Sequence, residues 1–315
     1  MSERPPIAIR CRGLVKTFGR RRALAGIDLD VTGPQVLGVI GPDGAGKTTL
    51  LRALVGLLEV EAAEATVLGY DLTGDVVGLK AHVGYVPQAF SLHRDLSVME
   101  NLRFTARLHR LAEDELRARA QPLLERTGLA PFVERPASAL SGGMKQKLAI
   151  VNALMPRPSL IVLDEPTAGV DVVARAEILA ILDSRRHDTL VVVSTSYLDE
   201  MTACDRIAYL HDGRVVAAGT PDELRAGAGV ELYRAWGDDP HVIARAAREL
   251  AWVAETQASS EMARIEVPVA TMPEAAVVRR ALGALPGVRL VERAAADMEA
   301  TLRALARAAV PGAAA

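Results

Sequence analysis

The feature that most constrains this chain is the run GPDGAGKTT at 41–49, which follows the apolar segment QVLGVI at 35–40 and leads into LLRALVGLL. Gly41, Gly46, Lys47 and Thr48 satisfy G-x-x-x-x-G-K-[ST], with Pro42, Asp43, Gly44 and Ala45 inside the turn and Thr49 after it. Strand, glycine-rich turn and helix in that order make an anion site. The glycines let backbone N–H groups converge on phosphate oxygens, and the start of the helix, expected over 47–58, adds positive potential. Lys47 supplies a point charge, and the Thr48 hydroxyl can ligate Mg²⁺. Asp43 is an acid in a loop built for anions, so its carboxylate must point away from the phosphates.

Two further apolar runs, LIVL at 160–163 and LVVV at 190–193, read as strands buried on both faces of a parallel sheet. Asp164 and Glu165 follow the first of them directly. In a parallel sheet that edge lies beside the phosphate loop. Asp164 can therefore hold Mg²⁺, directly or through water, while Glu165 orients or deprotonates an attacking water. The segment LSGGMKQK at 140–147 places Ser141, Gly142 and Gly143 just before a helix expected over 144–154. Taken alone, SGG is an ordinary serine cap. Beside a nucleotide already cradled elsewhere, it is a second anion-binding helix start, and it suggests a sandwich in which each subunit closes the other's site.

Between Ser91 and about Ser138, leucines recur among Arg and Glu, which predicts a mostly helical arm inserted in the α/β domain; with the following helix the arm extends over about 91–150. Strands are expected at 65–69, 82–86 and 190–194, and a helix near 173–184. The segment IAYLHDGRVVAAGTPDEL predicts a hairpin turning at Asp212 and Gly213, then a helix capped by Thr220 with Pro221 and Glu223 behind it. One domain is thus expected over 5–225. A small α+β appendage follows over 230–310, with strands near 231–234, 263–268 and 288–292 and helices near 240–250, 273–284 and 296–308.

Composition narrows the function. Basic and acidic residues number 37 and 39, so no global positive field draws in nucleic acid, and none is expected as partner. Aromatics are 3% of the chain, which leaves the core to Leu, Val and Ala. No 18-residue apolar run predicts a membrane span, and the opening MSERPPIAIR lacks the apolar core of a signal peptide. Cys11 and Cys204 form no CxxC pair, which suits a reducing compartment and buried structural thiols.

Taken together, GPDGAGKTT, YVPQ at 85–88, LSGGMKQ, LIVLDEPTAGVD and the STSYLDE segment resemble the ATP-binding cassette ATPase family across roughly residues 7–225. The resemblance implies a P-loop NTPase with a RecA-like core, an inserted helical subdomain and an N-terminal antiparallel β region. It further implies dimerisation around two ATP with Mg²⁺, and coupling to an integral membrane permease. By that likeness Gln88 senses the γ-phosphate through Mg²⁺ or water, and Phe18 in VKTFG is the adenine-stacking aromatic, whose π-face gives affinity without strong base selection. Ala168 to Asp171 resemble the loop that crosses the dimer interface.

One position departs from the family pattern, in which this strand ends in Ser-Thr-His and the histidine reaches the γ-phosphate. Here the chain reads Ser194, Thr195, Ser196. Ser196 is too short for that contact and has no pKa near neutrality. The six histidines lie elsewhere; His187, in RRHD, reads as a solvated helix end. The site is therefore expected to bind ATP well and hydrolyse it slowly, with a histidine-bearing partner cassette in an asymmetric dimer, an identical chain being the fallback.

The stretch PQAFSLHRDLSVMENLRFTARLHRL at 87–111, the hairpin VVAAGTPDEL and the small C-terminal region resemble bacterial drug, antibiotic or lipid exporter ATPases. The GPDGAGKTT spelling with the missing histidine particularly resembles the first cassette of tandem-cassette exporters and their ribosome-associated relatives, although this chain carries one cassette. The expected location is the cytoplasmic face of the bacterial cell membrane, held there through the permease. Two other readings stay open: a soluble ATPase acting on ribosomes or nucleic acid, and a mainly regulatory ATP-binding subunit. The segment at 291–305 is read equally as simple packing and as a dimer or permease contact.

Overall fold

In the computed structural model, which describes residues 5–195, 197 and 200–309, the chain opens with a long antiparallel ladder of β1 (Ala8–Phe18) and β2 (Arg21–Thr32). Its period-two pattern buries Ile9, Cys11, Ile27, Leu29 and Val31 on one face. Next come β3 (Gln35–Ile40), α1 (Lys47–Leu54), β4 (Glu64–Val67) and β5 (Tyr70–Asp71). Helix α1 stops at Leu54 instead of 58. Gly56 adopts φ +67°, and the Gly56 and Leu57 N–H groups close back on the Ala53 and Arg52 carbonyls, a glycine-terminated helix end. Positive φ at Leu68 and Gly69 turns β4 into β5 two residues earlier than the expected strand end.

The remaining elements of this part are β6 (Val83–Val86), α2 (Val98–Leu108), α3 (Glu113–Arg126), α4 (Gly142–Leu154), β7 (Leu160–Asp164), α5 (Val172–Asp183), β8 (Leu190–Ser194), β9 (Arg206–His211) and β10 (Arg214–Gly219). A four-stranded sheet runs β2-β1-β4-β5, and a six-stranded sheet runs β10-β9-β3-β8-β7-β6, parallel from β9 to β6. The helical arm has its own core, in which Val98, Leu102, Leu116, Leu124, Leu148 and Val151 meet at helical spacing. Its entry is fixed by the capping box of Ser97 and Glu100 and by buried Asn101, whose amide bonds the carbonyls of His93, Leu96 and Ser97. A RecA-like P-loop NTPase core, a helical subdomain and an N-terminal β-sheet are therefore all present. Asp212 and Gly213, both at positive φ, turn β9 into β10.

By its contacts the chain divides into two compact units, Met1–Ala218 and Gly219–Ala315. The second contains α6 (Pro221–Gly227), β11 (Val230–Gly237), α7 (Pro240–Arg248), β12 (Glu255–Ala258), β13 (Ala263–Pro268), α8 (Ala275–Gly283), β14 (Val288–Ala294) and α9 (Met298–Ala309). Sheet order β12-β13-β11-β14, all antiparallel, with helices after β11 and β13, is the ferredoxin-like split β-α-β arrangement. Tyr233, Ile265 and Val267 pack with Ile243, Val278 and Leu282 of α7 and α8. Glu266, alternating with these, is buried and pairs with Arg303 and Arg307 of α9. Burial lifts its carboxyl above the usual range despite the arginines.

Candidate nucleotide site

The C-terminal ends of β3, β7 and β8 lie side by side, because parallel pairing sets Val39 opposite Ser194 and Ser194 opposite Asp164. The phosphate loop leaves this edge after Ile40. A Cβ at Gly41 would stand 2.1 Å from the Leu210 carbonyl oxygen, and one at Gly46 2.6 Å from that of Ala23. Gly46 also caps α1 at φ +105°. The loop thus requires glycine at these two positions for clearance, and at Gly46 for backbone conformation as well.

Lys47 is buried and folds back along its own loop, donating to the Gly41 carbonyl at 2.8 Å and to that of Pro42 at 3.3 Å; Glu165 Oε1 lies 3.9 Å from its Nζ. Thr48 Oγ1 donates to Asp164 Oδ1 at 3.2 Å, and Ser194 Oγ donates to the same oxygen at 2.8 Å. Ser194 Oγ in turn accepts the Glu165 N–H at 2.9 Å, and Gln88 Nε2 donates to Glu165 Oε2 at 2.9 Å. Glu165 has φ +50°, a left-handed conformation costing a non-glycine residue about 1–2 kcal/mol, which turns its carboxylate out of the strand at this edge.

Lys47, Thr48, Gln88 and Glu165 line a cleft of about 630 Å³ that also takes in Phe18, Arg21, Asp43, Gly44, Gly46 and Thr49. The ABC transporter family model matches residues 24–168. Over 248 residues the chain is 39% identical to the daunorubicin resistance ATP-binding protein DrrA3 of Streptomyces coeruleorubidus, covering 77% of this chain and 75% of that protein. The chain belongs to the ABC-transporter ATP-binding family.

As a member of that family the cassette is an ATP-binding and ATP-hydrolysing module. It is 40% identical over 219 residues, 69% of its length, to the probable multidrug ABC transporter ATP-binding protein YbhF of Escherichia coli (strain K12), and spans 38% of that protein's length. Among solved structures, the dimeric post-hydrolysis state of the ATP-binding cassette MJ0796, bound to ADP and Pi, superposes with a TM-score of 0.61 at 26% identity. That match covers 68% of this chain and 97% of the other.

The residues present fit a divalent cation. Asp164 is buried, yet among the described residues its Oδ2 has no hydrogen-bond partner, so one carboxylate oxygen is desolvated and uncompensated beside the Thr48 hydroxyl. Among the described residues no cluster of three His, Cys, Asp or Glu is present. A cation here therefore depends on few protein oxygens plus those of a bound phosphate, the habit of Mg²⁺.

Other expected site residues fall as follows. The Asp43 side chain is fully exposed, 3.9 Å from Lys47. Pro42 is exposed and Ala45 buried within the loop. Phe18 is 49% exposed on the cleft rim, with Lys16 Nζ 5.3 Å from its ring centroid, so it is not a core residue. Ser141 caps α4 by accepting the Met144 N–H; it and Gly142 are exposed, and Gly143 is buried with its Cα facing Ala174. None of these three lines the cleft. Asp171 caps α5 through the Ala174 N–H, which holds its carboxyl below the usual range. His187 is exposed. Ser196 lies outside the described residues. Two contributors went unrecognised in the sequence. Ser194 links both carboxylates, and its only signal is a polar residue closing an apolar strand. Arg21 donates to the Gly44 carbonyl at 3.4 Å, from a run of three arginines in which no motif singles it out.

Proposed function

We propose that this cassette is the energy-coupling ATPase of a bacterial exporter, driving efflux of a drug, antibiotic or lipid-like substrate through a separate permease. The observation that carries the reading is the hydrogen-bonded series Thr48, Asp164, Ser194, Glu165 and Gln88, which sets a cation-binding carboxylate and a candidate base side by side at the phosphate loop. Likeness to a multidrug and a daunorubicin resistance protein supports the direction and class of cargo.

In this reading Gly41 to Thr49 hold the phosphates, and Lys47 exchanges its loop carbonyls for phosphate oxygens. Thr48, Asp164 and Gln88 would hold Mg²⁺, which supplies positive charge against the triphosphate when bound. Glu165 orients the attacking water and accepts its proton, positioned by Gln88 and by the Ser194-held backbone. Phe18 stacks on the base. Ser141 to Gly143, at a helix start where Ser141 and Gly142 are exposed and none of the three lines the cleft, serve the nucleotide of a second cassette, consistent with the dimeric form of the MJ0796 relative. With Ser196 where the family pattern has histidine, this site turns over slowly, and a heterodimer with a histidine-bearing cassette does the faster work. Domain extents of 5–225 and 230–310 are taken as the functional cassette and its accessory unit. Among the described residues no helix is long and apolar enough to cross a membrane, so residence at the cytoplasmic membrane face would come through the permease.

Affinity isolation from native membranes tests the assignment. Copurification of a polytopic permease with a second ATPase is the expected result, and reconstituted vesicles should then show ATP-dependent efflux. Isolation with ribosomes and no polytopic protein would overturn it, as would ATP-driven uptake.

A further inference from the structure

A second pocket of about 240 Å³ lies where the helical arm meets the sheet core of the first unit, and four guanidinium groups line it. Arg119 and Arg126 come from α3, Arg157 from the turn after α4 and Arg185 from the turn after α5, with Pro122 and Leu123 as an apolar wall. Carboxylates answer two of the four: Glu115 pairs with Arg119, and Asp188 with Arg185 at 3.1 Å. Arg126 donates to a neutral acceptor, the Ala180 carbonyl, at 2.8 Å. Among the described residues the Arg157 side chain has no hydrogen bond or ion pair, and the buried Nε atoms of Arg119 and Arg185 have no acceptor, although Arg119 Nη1 donates to the Met155 carbonyl at 2.8 Å.

Four like charges around one cavity with two counter-charges repel one another, the repulsion being screened by water at exposed Arg126 and Arg157 and stronger at the partly buried Arg119 and Arg185. Arg157 also reaches its place through φ +54°, a backbone conformation that suits glycine better than arginine. A multiply charged oxyanion removes the first cost, since guanidinium forks pair with phosphate oxygens two at a time. We propose that this pocket binds a small soluble polyphosphate, at a site separate from the nucleotide cleft. Such a ligand ties α3 to the ends of α4 and α5, and so favours whichever arm position brings the four guanidiniums together.

The test is calorimetric titration with sodium pyrophosphate in EDTA, run on the full chain with ATP just sufficient to fill the phosphate loop and, because ATP is itself a polyphosphate, on Lys47→Ala without ATP, which disables that loop and leaves the pocket open. One pyrophosphate per chain, bound without release of ATP and weakened by added salt, is expected. Arg157→Gly should weaken it about tenfold while leaving the thermal midpoint unchanged or higher, because glycine relieves the left-handed backbone. Arg126→Gln should weaken it as well. Absence of pyrophosphate binding, equal binding in both variants, displacement of ATP in step with binding, or binding seen only to phosphatidic acid vesicles would each overturn the proposal.

Discussion

Ser194→Ala removes one oxygen atom from the fold, and its effect can be worked out from the geometry. Ser194 is fully buried, donates to Asp164 at 2.8 Å and accepts the Glu165 N–H at 2.9 Å. A hydrogen bond to a charged group contributes about 1.5–3 kcal/mol, and an unpaired buried N–H costs about 1–3 kcal/mol. Asp164 keeps only the longer Thr48 bond on that oxygen, and the space freed by one hydroxyl is too small for a replacing water. The unfolding free energy should therefore fall by about 3 kcal/mol. Urea titration followed by far-ultraviolet circular dichroism measures it. Both tryptophans, Trp236 and Trp252, lie in the second unit, so their fluorescence follows that unit and the remaining amplitude follows the cassette. In an Asp164→Asn background the same serine change should cost about 1 kcal/mol less, since the charge has gone. A loss below about 0.5 kcal/mol, or no coupling between the two changes, would refute the reasoning.

Other substitutions separate local roles. Gly41→Ala drives a methyl group into the Leu210 carbonyl, so the strand edge must shift; a loss of about 3 kcal/mol and a weakened ATP affinity by equilibrium dialysis are expected. Ser141→Ala should lower stability by about 1 kcal/mol through the lost cap, and should reduce ATP-dependent dimerisation in analytical ultracentrifugation by more than that amount explains. Burial pushes the Cys11 and Cys204 thiols up to about 12, which leaves roughly one thiolate in 10⁴ at pH 8. Iodoacetamide should label both only after unfolding, and native labelling should rise as pH climbs toward 12; rapid native labelling at pH 8 would show that these thiols are not shielded.

The parts of the site legible in the sequence were those whose chemistry is local. The phosphate loop announces itself because strand, glycines, Lys47 and helix are contiguous, and Asp164 with Glu165 because an apolar strand ends on them. Thr220 and Glu223 were readable as a cap for the same reason, and the structure forms the capping box they predict. Ser194 was not, because its role depends on the register of β7 against β8, which nothing in either strand states alone. Arg21 depended on how the β1–β2 hairpin brings it against the loop. Strand β12, ETQA, carries no apolar alternation, and it became visible only through its ladder to β13. The end of α1 was missed because VGLL continues the apolar pattern, while Gly56 decides the matter through backbone conformation.

The central claim is that Thr48 and Asp164 form a cation site completed by the phosphates of bound ATP. Isothermal titration of the full chain with ATP, with and without Mg²⁺, tests it when wild type is compared with Asp164→Asn. Mg²⁺ should raise wild-type affinity by at least about tenfold, and the variant should lose that enhancement while keeping its metal-free binding. Equal enhancement in both proteins, or no binding of ATP to the wild type, would contradict the account.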